Sequence, residues 1–230
     1  MCKRARMEAL LKEFRDLKES QRAEVYCRMV DLVGKYELLR PTFAQDKVGR
    51  FNTFRLLNIG TDEVRHSQVL AWLLNHKSEH GQENMFLRSF LEASGIPLQL
   101  EGDSNYEVFT EYSGWESIID IVIYQPRLFL IYVENKVLAN EGFEQLAREY
   151  RDMNRLGESL SVPEHNRFAV FLTPAGHPPI SAGPSQWTSL SYGKLRAAFR
   201  ETLKFIQVPK SRWLVEDWLE AIGDWSELSD

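Results

Sequence analysis

Residues 118–136 constrain this chain most. Two apolar runs, 118–124 and 128–133, are separated only by Gln125, Pro126 and Arg127. Apolar runs of this kind read as strands buried on both faces. The short Pro-containing connection makes them an antiparallel hairpin. Yet Asp120 lies inside the first run, and Glu134 and Lys136 end the second. A buried charge without a partner is costly, so these three need each other or a ligand.

Glu134 and Lys136 are two apart on a strand and share a face. Asn135 points the other way, although its backbone carbonyl can still face the same site. With the right register Asp120 lies across from Glu134. Two carboxylates, a carbonyl and an ammonium suit a hard cation such as Mg²⁺, with Mn²⁺ as a substitute. Such an ion polarises a phosphoryl oxygen and activates water. Lys136 would orient that water or offset charge in the transition state. The competing reading is a buried ion pair that only holds the hairpin together.

Helical periodicity governs the first half of the chain. Met7, Leu10, Leu11, Phe14 and Leu17 form one stripe, and Val25, Met29, Leu32, Val33 and Tyr36 another. These predict an N-terminal helical extension over residues 1–50, ahead of a domain over 51–230. A third helix is expected after Thr61, its cap, with Val64, Val69, Trp72 and Leu73 as the apolar face. A fourth is expected over 82–93, ending before Gly95. Strands are predicted over 106–112, 118–124, 128–134 and 168–172, with a short last one at 187–190. A helix over 141–156 presents Phe143, Leu146, Tyr150 and Met153. Residues 173–185, rich in Pro and Gly, form a loop. Helices are expected over 193–206 and 213–222. The order predicts an α/β fold with a mixed sheet flanked by helices.

Bulk properties narrow the class. No apolar run approaches the roughly 20 residues of a membrane span. The basic N-terminus leads into a charged amphipathic helix rather than a signal peptide core. Cys2 and Cys27 form no metal or redox motif. A cytoplasmic location without membrane attachment is the expectation. The net charge of −5 argues against retention on nucleic acid by bulk electrostatics. It does not argue against a metal-dependent site on nucleic acid, where the ion supplies local positive charge.

Asp120 followed by Glu134-Asn135-Lys136 resembles the signature of the PD-(D/E)XK nuclease superfamily. The resemblance extends upstream through Phe51-Asn52-Thr53-Phe54-Arg55-Leu56-Leu57-Asn58-Ile59, Glu63-Val64-Arg65-His66-Ser67, Leu70-Ala71-Trp72-Leu73-Leu74 and His80-Gly81. Downstream it includes Glu141, Gln145-Leu146, Phe171-Leu172-Thr173-Pro174 and Ser191-Tyr192. Together these are similar to a bacterial branch of the superfamily, over roughly residues 50–205. The resemblance implies the restriction-endonuclease-like fold and a metal-dependent phosphodiester hydrolase, with DNA favoured over RNA as substrate. It implies Asp120, Glu134 and the Asn135 carbonyl as metal ligands, Lys136 as the catalytic lysine, and Glu63 completing the metal shell. Gln145 would contact the water or a phosphate, and Glu111 is an additional candidate ligand. A homodimer would suit cleavage of both strands of a duplex.

Two positions depart from the family pattern. Ile118 stands where relatives often carry an Arg two residues before the Asp, so a phosphate contact would fall to Arg65 or Arg148. Glu149 stands where some relatives carry a Tyr four residues after the Gln. The neighbouring Tyr150 is rotated by about 100° from that face and is left out of the site.

Other features have plainer readings. His76 and His80 lack a third ligand, and His66 reads as a hydrogen-bonded helix residue. Trp213, Trp218 and Trp225 could stack on bases, but the stripe of Leu214, Val215, Trp218, Leu219 and Ile222 favours packing. Lys12, Arg15, Lys18 and Arg22 alternate with acids and form a solvated or partner-facing helix surface. The alternatives to a DNA endonuclease are a binding or assembly module with a weak or dead site, and an RNA-directed nuclease.

Overall fold

The computed structural model of the protein describes residues 51–100, 105–138, 141–181, 186–223 and 225, together with Lys18, Val25, Arg28 and Asp31. The chain divides into two units, residues 1–51 and 52–230. The helices expected within 1–50 lie outside the described residues, except that these four positions are helical and exposed.

The second unit is built around a five-stranded mixed sheet. β1 (Glu107–Ser113), β2 (Ile118–Gln125), β3 (Phe129–Asn135), β4 (Arg167–Thr173) and β5 (Thr188–Ser191) lie side by side in chain order. β1, β2 and β3 are joined antiparallel, whereas β3/β4 and β4/β5 are parallel. The helices are α1 (Thr53–Leu56), α2 (Glu63–Leu74), α3 (Met85–Ser94), α4 (Gln145–Ser159), α5 (Tyr192–Leu203) and α6 (Pro209–Ala221). The parallel step from β3 to β4 is made through α4, as a parallel pair requires a long crossover.

All seven residues of β3 are buried, which is why its sequence does not alternate. Its side chains nevertheless divide by parity. Phe129, Ile131 and Val133 face a core completed by α2, α3, α5 and α6. Leu130 and Tyr132 face a smaller core against Leu146, Met153 and Leu156 of α4. The result is a sheet covered on both sides, with Glu134 and Asn135 directed to opposite layers.

Several local expectations are corrected. Asp62, not Thr61, caps α2, its carboxylate accepting from Arg65 N at 3.1 Å. Val64 is exposed, because the buried face of α2 is set by His66, Ser67, Leu70, Ala71, Leu73 and Leu74. Phe143 precedes α4 and is 86% exposed, since that helix begins only at Gln145. Trp218 and Trp225 are buried, as packing predicts, but Trp213 is about half exposed. Gly95 does end α3, in the left-handed conformation (φ 70°) that a residue without Cβ adopts freely.

The upstream signature acts mainly as a lock. Asn52 caps α1 through Phe54 N and Arg55 N, and its amide donates to the Asp217 carbonyl at 2.8 Å. The Asp217 carboxylate accepts from both Thr53 N and Thr53 Oγ1. His66 Nδ1 accepts from Trp218 Nε1 at 3.0 Å. Its Nε2 therefore carries the proton and faces the carbonyls of Ile59 and Gly60. Burial lowers the His66 pKa, so the ring is neutral in this role. These bonds fix the turn that delivers Glu63.

Candidate active site

The β2/β3 register pairs Ile121 with Val133. One step further sets Asp120 opposite Glu134, at the end of β3 where Asn135 and Lys136 follow. Asp120 Oδ2 accepts from Asn135 N at 2.7 Å. The Lys136 ammonium lies 2.7 Å from Glu134 Oε1 and 4.0 Å from Glu63 Oε2. Gln145, the first residue of α4, donates from Nε2 to the same Glu134 Oε1 at 2.6 Å. Asp120, Glu134, Glu63 and Gln145, from two strands and two helices, thus come together with Lys136, the residue that follows β3.

The two oxygens of Glu134 differ. Oε1 receives both Lys136 and Gln145, whereas Oε2 is buried beside Asp120 and receives no N–H donor among the described residues. The side chain is 1% exposed. Burial and the Asp120 charge raise its pKa to about 7, against the pull of Lys136 and Gln145. Asp120 is likewise raised by burial, with the Asn135 N–H and Lys136 opposing. For Lys136, burial alone would lower the pKa, but Glu134, Asp120 and Glu63 outweigh it and hold the ammonium above its usual range.

Asn135 belongs to the opposite layer. Its Nδ2 donates to Glu63 O at 3.2 Å and Ser67 Oγ at 3.1 Å, and its Oδ1 accepts from Tyr192 OH at 2.6 Å. Glu63 is bound at both ends: Oε1 accepts from Val137 N (2.8 Å) and Leu138 N (3.3 Å), while its backbone carbonyl meets Asn135. One Glu63 oxygen is therefore committed to holding the chain after Lys136, and the other faces Lys136. Glu111 is exposed on β1 with φ 48°, and no hydrogen bond or ion pair joins it to the cluster. Arg65 is exposed and bonds Gln68 on its own helix, and Arg148 donates to the Phe143 carbonyl. Neither touches the cluster. His80 is a core residue held by Asn75 O and Gln82 N.

Ser67, Tyr192 and Glu149 also contact this group of residues. Ser67 and Tyr192 carry no local signal of a role, because only the fold brings them to Asn135. Glu149, a departure from the family pattern, is fully buried and accepts from Gln145 Nε2 at 2.8 Å. Burial and the nearby Glu134 charge raise its pKa to about 9. Its i, i+4 spacing from Gln145 was the available signal.

Among the described residues no three His, Cys, Asp or Glu side chains form a closed metal cage. Mg²⁺ does not require one, since it is commonly held by one or two carboxylates, with water and substrate phosphate filling the remaining positions. Asp120 and Glu134 fit that pattern. They concentrate negative charge, and one buried Glu134 oxygen has no donor of its own.

The sequence matches the PD-(D/E)XK nuclease superfamily over residues 51–222. The chain belongs to this superfamily, and its mixed sheet flanked by helices is consistent with the restriction-endonuclease-like fold. No curated protein and no solved structure matches it significantly. No helix among the described residues is long and apolar enough to cross a membrane.

Proposed function

We propose that the protein is a Mg²⁺-dependent nuclease that hydrolyses phosphodiester bonds in DNA. The observation that carries this reading is Glu134. Its Oε1 is saturated by Lys136 and Gln145, while Oε2 is bare beside Asp120. Asp120 and Glu134 would hold the divalent cation, with Glu63 or the Asn135 carbonyl adding to its shell. When bound, such an ion polarises a phosphoryl oxygen and lowers the pKa of water.

The chain's own residues supply the rest. Lys136 keeps its proton, because three carboxylates surround it. Its ammonium orients the attacking water and offsets the negative charge that builds on the phosphoryl oxygens. Gln145 fixes the Glu134 carboxylate through Oε1. Water attacks phosphorus and releases its proton to solvent, the bond from phosphorus to the leaving sugar oxygen breaks, and that oxygen takes up a proton from solvent.

The test is cleavage of circular single-stranded DNA, plasmid duplex and structured RNA, each with Mg²⁺, Mn²⁺ or EDTA. Lys136→Ala is run beside the parent. The expected result is metal-dependent cutting of DNA that the variant loses. The variant should still fold, because Glu134, with a pKa already near 7, can take a proton when its counter-ion is gone. Cutting of RNA alone would redirect the substrate. No cutting with any metal would favour a binding module.

A further inference from the structure

We propose that Glu149 is a positioning residue that holds the Gln145 amide in the one orientation that leaves a Glu134 oxygen bare for a divalent cation. The inference rests on the metal-site reading above and adds a residue to it.

A glutamine amide has two N–H donors and one accepting oxygen. In Gln145 all three are used. Oε1 accepts from Gly142 N at 3.1 Å, and Nε2 donates to Glu134 Oε1 at 2.6 Å and to Glu149 Oε1 at 2.8 Å. Flipping the amide would set its NH₂ against the Gly142 N–H and withdraw both N–H donors from Glu134 and Glu149. The terminal torsion of a glutamine has a broad intrinsic minimum. Partners, not rotamer preference, therefore set its direction, and Glu149 is one of three among the described residues.

The consequence falls on Glu134. Oε1 is occupied by Gln145 and Lys136, and Oε2 is left without a donor although the side chain is buried. A freed Gln145 amide could rotate and donate to Oε2 instead, occupying the oxygen that a cation needs. Packing does not explain a carboxyl at position 149. Glu149 lies on the same buried face of α4 as Leu146, Met153 and Leu156; it is 0% exposed, its Oε1 accepts from Gln145, and its Oε2 has no partner among the described residues.

The experiment titrates MnCl₂ into the full chain by calorimetry, for the parent, Glu149→Leu, Glu149→Gln, Gln145→Leu and the Gln145→Leu/Glu149→Leu double variant. Each protein is also melted, and plasmid cleavage is followed in parallel. Glu149→Leu should weaken Mn²⁺ binding by about tenfold or more, the range for residues that orient metal ligands, without lowering the melting temperature. Glu149→Gln keeps an accepting oxygen and should restore parental affinity. In the Gln145→Leu background, Glu149→Leu should cause no further loss. Parental affinity in Glu149→Leu overturns the inference. So does an additive loss in the double variant, or a loss that follows the melting temperature and is not restored by Gln. A parent that binds Mn²⁺ but cuts nothing sinks the nuclease reading alone, and the affinity comparison still decides Glu149. A parent that binds no Mn²⁺ overturns both.

Discussion

Glu134, Glu149 and Asn135 show what a single buried polar residue can require of its neighbours. Glu149 is a carboxyl whose pKa is raised to about 9 in the folded protein, against roughly 4.3 in an unfolded chain. A raised carboxyl stabilises the fold below the unfolded value, and that contribution is lost as pH rises through the folded one. Replacing it with Gln removes this dependence. Glu149→Gln should therefore raise the melting temperature relative to the parent, with a difference that grows from pH 5 to pH 9; equal shifts at the two pH values would contradict a neutral buried Glu149. Asn135 makes the opposite demand. Its Oδ1 depends on the Tyr192 hydroxyl at 2.6 Å in a fully buried setting. Tyr192→Phe should cost about 1–3 kcal/mol, the penalty of a buried acceptor left without its donor, as read by urea unfolding. The charged residues of the β2/β3 hairpin were legible in the sequence because charge inside an apolar run is anomalous wherever it occurs. Ser67 and Tyr192 were not, since a hydroxyl announces a role only through the partner it meets.

Secondary-structure elements deliver these residues with a precision that caps and turns enforce. Asp152 of α4 is buried and reaches across to the β1–β2 turn, accepting from Glu116 N at 2.9 Å and Ser117 Oγ at 2.7 Å. The fit leaves no room at Gly114, where a Cβ would come within 2.4 Å of Asp152 Oδ2. Asp152→Ala removes a charged acceptor from this turn and should destabilise the protein by about 1.5–3 kcal/mol, the usual worth of a hydrogen bond to a charged group; chemical denaturation at pH 7 reads it. The same variant should loosen the strand that carries Asp120, and should weaken the proposed metal binding less than Asp120→Asn does. Element type followed from periodicity, and β2 and β3 emerge within a residue of their expected ends. Boundaries that hang on capping did not. The Asp62 cap displaces Thr61 because its carboxylate reaches Arg65 N, and α4 starts at Gln145 because Glu144 adopts a left-handed conformation (φ 48°). That late start places Phe143 in solvent and puts Gln145 at the beginning of the helix, where its side chain can meet Glu134.

Across the 52–230 unit, a cation held by the acidic cluster, as proposed, would tie stability to ligand binding. A cation that binds the folded chain and not the unfolded one stabilises it by about 2.7 kcal/mol at a hundredfold excess over Kd. Mn²⁺ should therefore raise the melting temperature of the parent, and Asp120→Asn or Glu134→Gln should abolish that rise; an unchanged melting temperature at saturating Mn²⁺ would argue against the site. Sequence alone determined the α/β class, the hairpin of β2 and β3, and the pairing of an acid on one strand with Glu134 and Lys136 on the next. It could do so because strand alternation and apolar runs are local properties of the chain. Only the tertiary structure decided that Glu63 spends one oxygen on the backbone of Val137 and Leu138, that Glu111 stays apart from the cluster, and that Glu149 faces Gln145 beside Glu134. Those outcomes depend on how α2 and α4 dock against opposite faces of the sheet, and docking is set by side chains far apart in the sequence. No local pattern encodes it.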